Sequence, residues 1–543
     1  MINRGKYFSN VGTPLEIYSI DDYLSAWESK HKSVAPVAAI RTHLSKYSSI
    51  QSINTGDYRI SEAQKAKVIA WWEKVLRTSN LPGDLYDFEI KALTKWFGPQ
   101  GGNPSEEQLM NGVVRYYENT GLPTDYPALS YRASIMLQRL LRRKGEPRQY
   151  SPRELYMRYK GDKRSNSGMT GWGDRRLPSI RKEAISQAYR FKEFDPAVCG
   201  SRYQRRKVRN IFMDSFANYY RAVAAYGPLI EDYKDVEWAN WRGDRYIEYT
   251  ISSFIDAHPE GVVFFESDYE AMDTWVTYEH AHYVLDHLKE WNIISADEYD
   301  SMLHVTYEYF HLPLVTPDGV VVAKHNLFSG VFITNFIETL LNLFIMIAWI
   351  TLKFPHAEYA RDFKIVILGD DVLLVFTKLL LTDMQMEDLP EDFALWVWNT
   401  YHIKAEPLKQ RISTVSGYFC KRRHAIKAPK YIDSSISQKQ IRKSVYPITL
   451  AINSILYPEE MVAESKAQTL IRIWQILDNC IGHPLYKLVV RYIASIYKEV
   501  LPLTVTISDI EQFNDNKKSW RIQLFGETFS IDRSQTAQLW MTL

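Results

Sequence analysis

Two groups of carboxylates are the side chains best placed by type and spacing to do chemistry. Asp268 and Asp273, in SDYEAMD, follow the apolar run VVFFES at 262–267, and Asp370 and Asp371 follow Gly369 at the centre of KIVILGDDVLLVF, 364–376. Asp268 ends an apolar run and Asp273 lies about one helical turn further on, so both can line one cleft at different depths. Gly369 gives the turn its backbone freedom. Carboxylates that converge repel each other and require a cation. Mg²⁺ suits such a site because it prefers oxygen ligands and leaves room for substrate phosphates. The chemistry implied is two-metal phosphoryl transfer, with ions about 3.5 to 4 Å apart on the attacking and leaving oxygens. Between the two groups lies NLFSGVFITNFIETLLN, 326–342, in which Ser329, Gly330 and Thr334 offer hydroxyls and a close backbone approach at a helix start. Alone, that segment reads more readily as a capped core helix, and only its order between the carboxylates removes that preference.

The elements that must carry these residues follow from the periodicity. VVFFESD predicts a buried strand leading into a helix over 274–288, and 364–376 predicts a hairpin, two apolar arms around a polar tip. Helices are expected over 63–77, 214–226 and 461–500, and a small hairpin over 519–532, where SWRIQLFGETFSID alternates and turns at Gly526. The greasy stretch Leu340 to Leu352, interrupted by Asn342, falls short of the ~20 residues a bilayer requires and reads as a buried helix. No repeat or low-complexity tract is visible.

Composition sets the bounds. The chain has 543 residues, 46% hydrophobic and 14% aromatic, ample for large cores and incompatible with a disordered protein. Cys199, Cys420 and Cys480 lie far apart in no Cys-x-x-Cys array, which argues for a reducing compartment and against a disulfide framework or zinc site. The first residues lack the apolar run of a signal peptide. Net charge is only +2, but residues 139–209 hold 21 Lys or Arg against 7 Asp or Glu. Interleaved with Tyr150, Tyr156, Tyr159, Trp172, Tyr189 and Tyr203, that block has the makings of a polyanion channel, cations for phosphates and rings for bases. A solvated helical face would look the same.

In this order and spacing, the motifs resemble those of viral RNA-dependent RNA polymerases. Asp268 to Asp273 matches the Asp-x4-Asp palm motif, Ser329, Gly330 and Thr334 the Ser-Gly-x3-Thr motif, and Gly369-Asp370-Asp371 the third palm motif. Lys207, Arg209 and Ile211 match the finger motif Lys-x-Arg-x-Ile. KAEPLKQ, 404–410, resembles the segment bearing the family's general-acid lysine, giving Lys409 with Lys404 as the alternative; YFCKRR, 418–423, resembles the primer grip. SNSGMTG, 165–171, is similar to a template-channel motif. The resemblance spans about residues 165–425. One position departs from it: many members place an asparagine four residues after the motif threonine, and this chain has Glu338, so Asn335 or Asn342 is the substitute. Within the family the pattern is most similar to picobirnavirus enzymes, with partitivirus-type enzymes next.

The resemblance implies an α+β right-hand polymerase, mostly helical, its palm a small antiparallel sheet flanked by helices. It implies a helical region at 1–140 that contributes to the fingers and bridges to the thumb, fingers at 141–255, palm at 256–290 and 326–424, a fingers insertion at 291–325, a helical thumb at 425–518 and a tail at 519–543. It assigns Asp268, Asp370 and Asp371 to two Mg²⁺ ions, for which Mn²⁺ can substitute, and Asp273 to the ribose 2′-hydroxyl. Lys207, Arg209, Ser329, Gly330, Thr334 and Asn335 fall to the nucleotide, Phe419, Lys421 and Arg422 to the nascent strand, and Ser167 and Gly168 to the incoming template. Expected partners are RNA template, nascent RNA, NTPs and a viral capsid protein, with no membrane, for a monomer in the virion interior and host cytoplasm. Synthesis is expected to need no primer, with Trp520, Phe525 and Phe529 of the tail hairpin stacking on the first nucleotide or, equally, packing on the thumb. The alternatives are a reverse transcriptase, which Asp273 argues against, and a non-catalytic RNA-binding, capsid-associated protein, which leaves the ordered carboxylates unexplained.

Overall fold

In the computed structural model, the run FKIVILGDDVLLVFT closes on itself as strands Phe363–Leu368 and Asp371–Thr377, with Asp371 opposite Leu368 and Phe376 opposite Phe363. Val372 to Thr377 are all buried, as expected of β-branched and aromatic residues in a central strand. Strand Val262–Ser267 pairs antiparallel on the other side, Ser267 opposite Val372, and Arg411–Ser413 pairs with it in turn. The result is a four-stranded antiparallel sheet. Its far edge is covered: the Ile367 N–H donates to the Trp238 carbonyl at 2.9 Å and the Asn240 N–H to the Ile367 carbonyl at 3.0 Å. This register brings the end of strand Val262–Ser267, and hence Asp268, alongside Asp371.

The structure describes residues 15–543 except 32–34, 49–51, 54–56, 58, 119–125, 127, 159–165, 382, 434–435, 460–464, 503 and 520–533. The chain forms two compact units: Met1–Ser49, Ser105–Ser201 and Asn210–Gly417 make the first, and Ile50–Pro104, Arg202–Arg209 and Tyr418–Leu543 the second.

In the first unit, helix Thr334–Lys353 runs behind the sheet. It is longer than the greasy stretch suggested and, at 20 residues, long and apolar enough to cross a membrane, yet 83% of its apolar window is buried inside the fold, which is the signature of a core helix. Helix Tyr278–Glu290 starts later than its periodicity predicts, because Met272–Thr274 forms a separate 3-10 turn and Thr277 caps the helix through a capping box with His280. Helix Phe216–Asp232 overruns its predicted end at 226 by six residues, with Pro228 accommodated inside. A second sheet in this unit orders Glu16–Tyr18, Gly319–Val322 and Leu314–Thr316, the last pairing parallel with the start of strand Ala197–Gln204.

Part of the basic block is neutralised internally. Arg143 bonds Asp232 and, at 2.6 Å, the buried Glu298, while Arg158 pairs with Glu231 at 2.7 Å and Arg176 with Asp174 at 2.7 Å. Arg175 donates to the carbonyls of Asn166 and Asp214, each at 2.9 Å. A share of the positive charge is therefore scaffold, which sequence counting could not separate from charge available to a polyanion.

The second unit is helical. Glu62–Thr78 and Gly83–Lys91 share one apolar core with Ile448–Leu456, Lys466–Asp478 and Tyr486–Tyr497, built around Trp72, Leu76 and Trp474. The helical spacing over 461–500 is realised as two helices, separated where Gly482 is left-handed (φ +96°) and Pro484 follows. Ser519 ends helix Ile507–Ser519 instead of opening a hairpin; the rest of the expected hairpin, with Trp520, Phe525 and Phe529, lies outside the described residues. A further helix, Gln535–Met541, follows, and its Trp540 and Ala537 are buried in the same core.

Candidate active site

The sheet register sets the site. Asp268 leaves strand Val262–Ser267 exposed, and Asp370 stands exposed at the hairpin tip, with Asp371 opening the next strand and Asp273 half-buried in the 3-10 turn. Asp370 is open to water although protein packs densely around it, the situation of a cleft floor. That burial first, and then the like charges of Asp371, Asp273 and Asp268, push its carboxyl up to about 7. Glu338, 8% exposed, joins the group: burial and then the charges of Asp273 and Asp370 raise its carboxyl well above the usual carboxylate range. The four aspartates thus share one electrostatic environment in which like charge accumulates. Among the described residues, no three His, Cys, Asp or Glu side chains already close into a metal cage. An open set of oxygen donors is nonetheless what Mg²⁺ takes, since it binds one or two carboxylates and keeps waters and phosphates in its other positions.

Helix Thr334–Lys353 clamps the hairpin tip. Gly369 is left-handed (φ +61°), and a Cβ there would lie 3.1 Å from Asn335 Nδ2 and 3.3 Å from Glu338 Oε2. The Gly369 N–H donates to Thr339 Oγ1 at 2.8 Å, and Asn342 Nδ2 donates to the Gly369 carbonyl. Asn335, Glu338, Thr339 and Asn342 fall on one stripe of the helix. Of the two proposed substitutes for the ribose asparagine, Asn342 is buried and spent on Gly369, whereas Asn335 is exposed beside the turn, 3.5 Å from Trp241 Nε1. Thr339 was missed by sequence reasoning; its signal was a polar stripe on an otherwise apolar helix.

Ser329 and Gly330 sit in the loop before that helix, Gly330 left-handed at φ +98°. The Ser329 carbonyl accepts from the Phe212 N–H at 3.2 Å, and Thr334 Oγ1 donates to the Phe328 carbonyl at 2.7 Å, so the threonine hydroxyl closes the loop. Asp273 accepts a hydrogen bond from Tyr116, a residue in no recognised motif.

The segment 404–410 runs alongside Asp268. The Glu270 N–H donates to the Lys404 carbonyl at 3.0 Å, and Gln410 Nε2 donates to the Asp268 carbonyl at 2.9 Å. Lys409 pairs with Glu406 at 3.1 Å and Lys404 with Glu270 at 2.7 Å, both lysines partly or fully open to solvent.

The other sequence candidates fall in both units. Ser167 is buried, its hydroxyl donating to the Thr170 carbonyl and accepting from the Gly173 N–H at 2.8 Å; Gly168 is left-handed, and a Cβ there would meet the Asp214 carbonyl at 2.8 Å. Both shape a tight loop in the first unit. In the second unit, Lys207 and Arg209 are exposed on one face of strand Lys207–Met213, just after a two-residue turn in which Arg205 and Arg206 are both left-handed. Phe419 and Arg422 are buried there, Arg422 bonding Asn479, while Lys421 lies over the Trp96 ring at 5.0 Å.

No protein-family model and no curated protein matches the chain. Solved structures do. The crystal structure of the RNA-dependent RNA polymerase of a human picobirnavirus superimposes with TM-score 0.72 at 17% identity, covering 93% of this chain and 96% of that one. The insertion loop deletion mutant of the same enzyme gives TM-score 0.73 at 17% identity, covering 93% and 97%. The fold of this chain is therefore that of a viral RNA-dependent RNA polymerase, α+β as expected.

Proposed function

We propose that the chain is a template-directed RNA-dependent RNA polymerase. The observation that carries this reading is the gathering of Asp268, Asp370 and Asp371 at the ends of neighbouring strands of one sheet, with Asp273 from the 3-10 turn beyond, into one cluster of like charge within that fold. Asp268, Asp370 and Asp371 would hold Mg²⁺, two ions with Mn²⁺ able to replace them. Bound there, the metal supplies charge neutralisation and lowers the pKa of the attacking 3′-hydroxyl.

The chain's own residues do the rest by position and charge. Gly369, held by Thr339 and Asn342, fixes where Asp370 and Asp371 stand. Asp273 accepts the ribose 2′-hydroxyl, and Ser329, Gly330, Thr334 and Asn335 form the wall beside it. Lys207 and Arg209 neutralise the triphosphate. Lys409, paired with Glu406, gives its proton to the pyrophosphate as it leaves. Lys421, with Phe419 and Arg422 as its supports, faces the nascent strand, and the loop of Ser167 and Gly168 borders the template.

The assignment of fingers, palm and thumb given above, primer-independent initiation, a capsid protein as partner and residence in the virion interior and host cytoplasm belong to the same reading and rest on likeness to picobirnavirus enzymes. Templated synthesis tests it. Labelled NTPs and a heteropolymeric RNA with Mg²⁺ should give a product complementary to the template. A product that does not depend on the template, or incorporation indifferent to chelation of the metal, would refute it.

A further inference from the structure

We propose that Tyr116, in a part of the chain that carries no polymerase motif, positions Asp273 for recognition of the ribose and so sets the preference for ribonucleotides. The inference rests on the polymerase reading. Its geometric basis is one short hydrogen bond between distant segments: the Tyr116 hydroxyl donates to Asp273 Oδ2 at 2.6 Å. One phenol thus ties helix Glu106–Glu118 to the 3-10 turn that carries Asp273.

The phenol is itself held from all sides. Its ring meets Phe212 edge-on at 4.9 Å and Phe328 at 5.6 Å, and those two rings stack on each other at 3.9 Å. Its carbonyl accepts from the Asn326 N–H at 2.7 Å, and Asn326 Nδ2 donates at 2.7 Å to the carbonyl of Thr274, next to Asp273. Helix Glu106–Glu118 therefore delivers one hydroxyl, 5% exposed as a residue, to a fixed point. A carboxylate oxygen has two lone pairs, so a bond from Tyr116 fixes the rotamer of Asp273 and leaves it able to accept a further one. A short, charge-assisted bond of this kind holds the acceptor more firmly than a neutral one would. Burial and the neighbouring Asp273 push the phenol well above its ordinary range, so it stays a donor.

Tyr116 does not touch the reacting atoms; it acts through Asp273. A merely structural tyrosine would, when altered, slow ribo- and deoxyribonucleotide incorporation alike. A positioning tyrosine affects the substrate that carries the 2′-hydroxyl. The test is Tyr116→Phe, which keeps the ring and its packing, assayed for kcat/KM with a matched rNTP and dNTP on one enzyme preparation, so that the active fraction cancels. The rNTP-to-dNTP ratio should fall about tenfold, chiefly through KM for the rNTP, and Tyr116→Phe added to Asp273→Ala should lower that ratio no further. An unchanged ratio for Tyr116→Phe alongside a collapsed ratio for Asp273→Ala would overturn the proposal, as would additive effects in the double variant. Wild-type protein that joins neither nucleotide would instead overturn the polymerase reading beneath it.

Discussion

Thr339 and Gly369, thirty residues apart, meet at the centre of the site: the Gly369 N–H donates to Thr339 Oγ1 at 2.8 Å, while the same hydroxyl donates to the Asn335 carbonyl at 2.6 Å. One side chain thus joins the turn that presents Asp370 to the first turn of the core helix. The hairpin tip has no freedom of its own.

Replacing Thr339 by Val keeps the shape and strands the buried Gly369 N–H. An unsatisfied buried donor costs about 1–3 kcal/mol, so the melting temperature should drop by a few degrees. Nucleotide incorporation should fall further than the loss of folded protein explains, because Asp370 and Asp371 then move with the turn. Thermal unfolding and incorporation, measured on the same sample, separate the two effects.

A pH dependence of stability follows from His280. Its Nε2–H donates to the Tyr401 carbonyl at 2.8 Å and its Nδ1 accepts from the Thr277 N–H at 3.1 Å, so the fold holds the neutral ring. Burial first of all lowers its pKa from 6.5 to about 4. The unfolded chain then binds the proton more readily, and stability is full above pH 6.5 and declines as pH falls toward 4, by about 3 kcal/mol at most from this group. His280→Gln keeps an acceptor for the capping box but cannot titrate. Its melting temperature should decline less between pH 7 and 4.5 than that of the wild type; equal declines would assign the acid sensitivity elsewhere.

In the second unit, Glu89 accepts from the backbone N–H groups of Ile448 (2.8 Å) and Thr449 (2.9 Å) and lies 3.1 Å from His483. A fully buried carboxyl at a helix N-terminus satisfies donors that would otherwise be orphaned. Glu89→Ala should destabilise the protein by about 3 kcal/mol, read as a lower denaturant midpoint.

Physical distance along the chain decided how much could be read from sequence. The hairpin was legible because two apolar arms flank three residues that turn readily, and its strands fall within a residue of the predicted bounds. The carboxylates were legible because each follows a buried strand. The grouping of residues 50–104 with the C-terminal helices was not, since it depends on contacts such as Trp72 with Thr449 that no local pattern encodes. Arg143 reads from sequence as one more cation of the basic block, and only the fold brings Asp232 and Glu298 to it. Tyr116 gave no signal, because a tyrosine on the buried face of an amphipathic helix reads as core.

The most direct measurement is labelled NTP incorporation on a single-stranded RNA template with Mg²⁺ and no primer, comparing the wild type with Asp370→Asn. Asn keeps the shape of the turn and removes one charge from the coupled cluster, so folding and melting temperature should hold while incorporation falls by at least a hundredfold. Equal synthesis by the two proteins would show that the Gly369–Asp371 turn is not the catalytic centre and would contradict the reading of this chain as a polymerase built on these carboxylates.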